Sequence, residues 1–260
     1  MPDIHPSAVV EPGAELAPDC RVGPFCHVGP DVHLGQGVVL RSHVVIAGDT
    51  RIGDGCEVWP FASVGGVPQD MKFKGERSRL VIGPRTRIRE HVTINTGTEG
   101  GGGLTQIGAD CLIMAGAHIA HDACLEDRVI IVNHAAIAGH CQIGADAIIG
   151  GLSGIHQFVR VGAGAIVGAL TMVTHDVIPH GLVQGPRGVL DGLNLVGLKR
   201  RGANRETIAE LRAAFEALRD GEGSFVDKAA ALGDGPTSDE LKALVDFVTG
   251  GSDRRFLTPR

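Results

Sequence analysis

Histidine is concentrated in one zone of the chain, at His118, His121, His134, His140 and His156. His121, Gly139 and Gln157 stand eighteen residues apart, as do Asp122 and His140, and Ala138 and His156. In a chain that coils every eighteen residues, each set forms a column with layers about 4.8 Å apart. His121 then has beside it the N–H of Gly139, a residue without a side chain. That is the minimum apparatus for acyl transfer: an imidazole to remove a hydroxyl proton and a backbone donor to steady the tetrahedral oxyanion. Two other readings stand beside it. The histidines could be a solvated surface row, or they could hold zinc from adjacent layers. His118 and His121 do not share a column, so no metal is expected. Asp122 follows His121 directly, and neighbours in an extended strand point to opposite faces. It can orient His121 only if the pair sits at a corner, which the sequence leaves open.

The element that must position these residues is a repeat. An aliphatic residue recurs every six positions from Ile4 through Val10, Leu16 and Val22 to Val64. The period resumes at Ile82, Ile88 and Ile94, slips by one, and runs unbroken from Ile107 to Val173. The fifth position of each hexad is small or β-branched (Ala8, Cys20, Val38, Thr50, Cys111, Ala135, Ser153, Thr171), and five of the six cysteines fall there as apolar fillers. A helix is excluded, because a period of six turns successive aliphatics about 240° apart. Short strands with a corner every six residues give a mainly β, triangular coil of eighteen, a parallel β-helix over residues 1–186. Residues 65–81 and 97–106 are expected to leave the coil as loops, where function usually sits. Residues 187–260 are expected to form a small helical domain that caps the solenoid. Within it, Asn204–Asp220 has Ile208, Leu211, Phe215 and Leu218 at helical spacing. A capping-box pattern, Thr237-Ser-Asp-Glu240, opens a last helix.

Composition agrees. Of 260 residues, 43% are hydrophobic but only 3% aromatic, with no Tyr and one Trp, so the core must be aliphatic and narrow. A net charge of −6 argues against nucleic acid as the main partner. It leaves local basic clusters at Arg85, Arg87 and Arg89 and at Lys199, Arg200, Arg201 and Arg205. There is no apolar run that could span a membrane, no signal-peptide pattern and no CxxC. A cytoplasmic location is expected.

Several stretches together resemble the UDP-N-acetylglucosamine 3-O-acyltransferase family of hexapeptide-repeat enzymes. They are QDMKF (Gln69–Phe73), IREHVTIN (Ile88–Asn95), GGGLT (Gly101–Thr105), AHIAHD (Ala117–Asp122), AGH (Ala138–His140), IIGG (Ile148–Gly151), IHQF (Ile155–Phe158) and NLVGLKRRG (Asn194–Gly202). The match covers nearly the whole chain, in order. The resemblance implies a left-handed β-helix, which periodicity alone does not show, and the first step of lipid A biosynthesis. It implies His121 as general base for the sugar 3-hydroxyl, Asp122 as its partner and Gly139 as oxyanion donor. Gln69, Asp70 and Lys72 would meet the glucosamine and its acyl chain. His118, His140, His156 and Gln157 would line the cleft for sugar and phosphopantetheine. Asn194, Arg200 and Arg201 would take the uridine diphosphate, where a guanidinium fork suits phosphate oxygens. The donor would be a (R)-3-hydroxyacyl chain on acyl carrier protein, so no separate cofactor is implied. The assembly would be a homotrimer with sites between subunits.

Three positions depart from the family pattern. Val196 stands where an acidic residue is frequent and Asn95 where a His is; Ala169 lies where residue size is thought to limit the acyl pocket. Rival readings also differ in sequence. The N-acyltransferase sibling carries a uridine-binding domain ahead of its solenoid, whereas here the hexads begin at Ile4. A 3-amino sugar acceptor would be served by the same base and donor. A non-catalytic binding platform would not need the His121/Gly139 column.

Overall fold

In the computed structural model, which describes residues 1–233, 238–252 and 254–260, the hexads build a three-sided prism. Each coil contributes one short strand to each of three parallel sheets. The first sheet starts at Asp3–Ile4, the second at Val9–Val10 and the third at Glu15–Leu16. Register follows the eighteen-residue period: Arg21 pairs with Val39, His27 with Val45, and Cys124 with Gln142. Most strands are two residues long, one pointing out and one in, as alternation requires. The inward residue is the hexad aliphatic, buried from Val22 to Val173. Fully burying each such side chain contributes about 1.5–3 kcal/mol.

The fifth-position side chains fill the space inside the corners. Cys20, Cys26, Cys56, Cys111 and Cys141 are buried there, and each thiol donates to a backbone carbonyl of the coil. Burial pushes these thiols up, Cys141 to about 12, so they are inert fillers, as expected. Cys124 is the exception, half-buried on the outer face of the third sheet.

The corners turn through residues in the left-handed region. Gly, Asn, Asp and His tolerate it best, yet Phe25, Phe61 and Leu152 adopt it too. Between the second and third sheets the corner residues are Asp122, His140 and Phe158, at φ of 58°, 62° and 65°.

Both interruptions are shorter than their sequence suggests. Arg79–Ile82 and Leu104–Ile107 are third-sheet strands paired with each other, not loop. Leu80 and Thr105 fill the buried fifth slots of those hexads and draw the chain back into register. The excursions proper are residues 67–78 and 96–103. Glu57 pairs with Arg87, twelve residues beyond the eighteen-residue coil, and Thr93 with His118, seven beyond it. Both excursions leave from the corner between the second and third sheets.

The first sheet continues past the boundary expected at 186. Gly181–Gln184 adds in parallel, and Val189–Leu193 folds back on it antiparallel. Among the described residues four helices follow: α1 (Leu195–Arg200), α2 (Arg205–Asp220), α3 (Phe225–Ala231) and α4 (Asp239–Thr249). The expected helices are α2, capped by Asn204, and α4, capped by Ser238; Thr237 lies outside the described residues. Helices α1 and α3 are too short to show periodicity. Ile208, Leu211, Ala214 and Leu218 of α2 are buried, while Phe215 is only partly so. The tail closes onto the last coil: Asp176, fully buried, accepts from Arg160 and from the Ser252 hydroxyl. Arg160 also lies 4.4 Å from the Phe247 ring centroid. Among the described residues no helix is long and apolar enough to cross a membrane.

Candidate active site

The corner settles the His121–Asp122 question. Asp122 turns out of the strand direction with its left-handed φ, so adjacent side chains meet. His121 Nδ1 lies 2.8 Å from Asp122 Oδ2. The carboxylate is almost fully buried, at 1% exposure, and His121 is exposed by only 13%. The Thr98 N–H donates to Asp122 Oδ1 at 2.8 Å, and its hydroxyl to Oδ2 at 2.6 Å. The Asp122 N–H in turn donates to the buried Thr105 hydroxyl. A buried carboxylate without such partners would be costly.

Gly139 sits one layer on, beneath the imidazole. A Cβ there would lie 2.6 Å from His121 Cε1 and 2.8 Å from Nε2, so only glycine admits the ring. The flanking N–H groups are engaged, Ala138 with Ile155 and His140 with His121. Among the described residues the Gly139 N–H has no acceptor. His140 meets His121 edge-on at 5.1 Å and stacks on Phe158 at 4.4 Å. Its Nδ1 stands 3.7 Å from Asp122 Oδ2.

A pocket on the second sheet gathers Gln69, His118, His121, Gly139 and His156, floored by Ile137, Ile155 and Met172. His118 Nδ1 bonds the Thr93 hydroxyl at 2.7 Å, and burial lowers its pKa. Burial also lowers the pKa of His140, against a smaller opposing pull from Asp122. Asp70 and Lys72 are near enough to act on the charge of His140; the Lys72 N–H donates to Asp70 Oδ1, fixing a tight turn. His156 is exposed and takes a 3.0 Å contact from Arg254 of the C-terminal tail. Gln157 is exposed beside it. The His121, His140 and Asp122 donor atoms lie within 4.8 Å of one another. Both carboxylate oxygens already accept from Thr98, however, which suits an oriented base better than an ion.

The remaining residues lie elsewhere on the monomer. Asn194, Arg200 and Arg201 line a second pocket, with Ile148 and Ile166 of the first sheet and Arg128 of the corner before it. The Asn194 amide is engaged: Oδ1 accepts from the Gly197 N–H, capping α1, and Nδ2 donates to the Gly164 carbonyl. Arg201 reaches His180 Nδ1 at 3.2 Å; burial first, then Arg201, pulls His180 down to about 4. Val196 is exposed on this pocket. Ala169 is exposed at the corner after Ile166–Val167. Asn95 is buried under the first excursion, donating to the Val67 carbonyl, and among the described residues its Oδ1 has no partner. Thr98, Thr105 and Arg254 were not singled out by the sequence. Thr105 alone left a signal, a hydroxyl in a core slot.

The prism and its hexads are of the hexapeptide-repeat class, and the family model described as bacterial transferase hexapeptide (six repeats) matches residues 13–48, 31–66 and 104–139. A second model, UDP-N-acetylglucosamine O-acyltransferase domain 2, matches residues 176–257. An acyl-[acyl-carrier-protein]–UDP-N-acetylglucosamine O-acyltransferase of Paracoccus denitrificans is 62% identical over 78% of this chain and 77% of its own. One of Agrobacterium fabrum is 42% identical over 98% and 95%. The solved enzyme of Acinetobacter baumannii superposes with a TM-score of 0.95 at 38% identity, over 98% of this chain and 99% of its own. The chain belongs to the UDP-N-acetylglucosamine O-acyltransferase family, and its coil is the expected left-handed β-helix.

Proposed function

We propose that this enzyme transfers a (R)-3-hydroxyacyl group from acyl carrier protein to the 3-hydroxyl of UDP-N-acetylglucosamine, opening lipid A biosynthesis, with His121 as general base. The observation that carries the chemistry is the buried Asp122–His121 pair, with the His121 Nε2 edge over Gly139. The Nδ1–H donates to Asp122, leaving the Nε2 lone pair for the sugar hydroxyl proton. The oxygen attacks the thioester carbonyl, and the Gly139 N–H holds the resulting oxyanion. Collapse breaks the carbon–sulfur bond, and the phosphopantetheine thiolate takes the proton back from Nε2. No added cofactor takes part, because the phosphopantetheine arrives with the donor.

Gln69 lines the pocket, and with Asp70 and Lys72 of the same loop it would grip the glucosamine and its acyl chain. His118, His140, His156 and Gln157 would border sugar and pantetheine. Arg200 and Arg201 would take the diphosphate, with Asn194 fixing the helix that carries them. These three sit against the first sheet while His121 opens on the second. A homotrimer, setting one subunit's first sheet against its neighbour's second, would complete the site. Ala169 would limit donor length.

The test is incubation with UDP-N-acetylglucosamine and 3-hydroxyacyl carrier proteins of several lengths, with mass detection. Acylation at the 3-hydroxyl is expected, and no acylated nucleotide sugar with any donor would sink the reading. Ala169→Gly should shift the preferred length upward; an unchanged preference removes Ala169 from the role.

A further inference from the structure

Thr98 stands at the N-terminal cap of a single 3-10 turn, Glu99–Gly101, in the second excursion. A threonine there ordinarily turns its hydroxyl back to an N–H of its own turn. Thr98 does not: its side chain makes no such bond. Its hydroxyl is diverted across the corner to Asp122 Oδ2, and its N–H to Oδ1. The turn is also shaped to the carboxyl, since a methyl on Gly101 would overlap Asp122 Cγ. Thr98 is itself 6% exposed, so these bonds form out of water, where they are strongest.

We propose that Thr98 is a positioning residue for the transfer, fixing the Asp122 carboxylate and, through it, the tautomer of His121. This rests on His121 being the base. The Thr98 hydroxyl and His121 Nδ1 share the same oxygen, Oδ2. With one lone pair accepting from Thr98, the other faces Nδ1, which must then be the protonated nitrogen. The Nε2 lone pair is thereby directed over Gly139. Thr98 also resolves a competition. His140 Nδ1 lies 3.7 Å from the same oxygen, and a carboxylate released from Thr98 could turn towards it. The clamp extends to the first excursion. The Ser78 hydroxyl donates to Thr96 at 2.9 Å, and the Gly97 N–H to the Arg79 carbonyl. The loop bearing Gln69, Asp70 and Lys72 is thus tied to the segment that holds the dyad.

The experiment compares Thr98→Val, which keeps the shape, with Thr98→Ser, which keeps the hydroxyl, and with His121→Ala in parallel. Steady-state kinetics and 15N imidazole NMR of His121 are the readouts. Thr98→Val should lower kcat about 10–100-fold, the range for losing a partner that orients a reacting group, with KM moved less than about twofold. Its His121 should show a mixture of tautomers, whereas wild type shows Nδ1–H. Thr98→Ser should restore both. A Thr98→Val enzyme with undiminished kcat, a Ser variant as impaired as Val, or an unchanged His121 tautomer would overturn the assignment. If His121→Ala also retains activity, the base reading fails first; if only Thr98→Val does, the clamp alone is wrong.

Discussion

Two edges of the prism carry stacked columns of residues in the same left-handed conformation, and only one of them is equipped for chemistry. Between the first and second sheets, Phe25, His43, Phe61 and His91 stack with ring centroids 5.0–5.1 Å apart. Phe25 and Phe61 are 61% and 54% exposed. Between the second and third sheets, Asp122, His140 and Phe158 form the corresponding column, with His140 stacked on Phe158 at 4.4 Å. The scaffold offers both edges equivalent geometry, including histidines. Three additions separate them: a carboxylate at the corner, a glycine that admits the neighbouring ring, and an excursion that buries the carboxylate. A histidine on this fold becomes a candidate base through those additions, not through its own presence.

The largest test of that contrast is Gly139→Ala. The methyl would press on the His121 ring, and misplacing a reacting group by about 1 Å costs on the order of 100-fold in rate. We expect kcat to fall at least that far, read by single-turnover kinetics. A near-normal rate would mean that the ring has another productive position.

A second test lies on the third edge, at His180. Its pKa in the folded protein, about 4, lies below the usual 6.5. The unfolded chain therefore holds more protons between those values. Stability is full above about pH 6.5, falls as pH drops, and has lost this contribution below about pH 4. The loss is of order 3 kcal/mol. Burial of His118 and His140 acts in the same direction. Urea midpoints should fall steadily from pH 7 to 4.5, and less steeply in His180→Asn, a residue that tolerates the same backbone. An identical slope in the variant would place the proton uptake elsewhere.

The smallest effect belongs to the aromatic edge. Phe61→Ala should cost about 1 kcal/mol, in line with one or two exposed aromatic contacts, and leave kcat unchanged. A matching loss of rate would show that the two edges are not functionally distinct.

What the sequence shows of this site follows the period. His121 over Gly139, and Asp122 in the column of His140, follow from counting by eighteen, because each coil pairs only with its neighbours. The His121–Asp122 contact does not follow, since it depends on a corner torsion that most residue types can be made to adopt. Thr98 is hidden for a different reason. The second excursion adds seven residues to its coil, so the count that places Asp122 cannot place Thr98 against it. Arg254 meets His156 from far along the chain, through the docking of a tail that has no repeat. The strand Val189–Leu193 is invisible to the hexad count because it pairs antiparallel.

Both excursions, the carboxylate and the histidine stack fall on a single edge of the prism, while the other two edges run on with aromatic rings or with ion pairs such as Arg85–Asp110 and Arg128–Asp146. A loop inserted at a corner leaves the register of the coils above and below intact, and lengthening it adds only a few tenths of a kcal/mol of closure entropy. That edge therefore accepts loops of different length without disturbing the coils. Successive enzymes can exchange what grips the substrate there, like replacing a tool in a fixed handle, without renegotiating a single residue of the core.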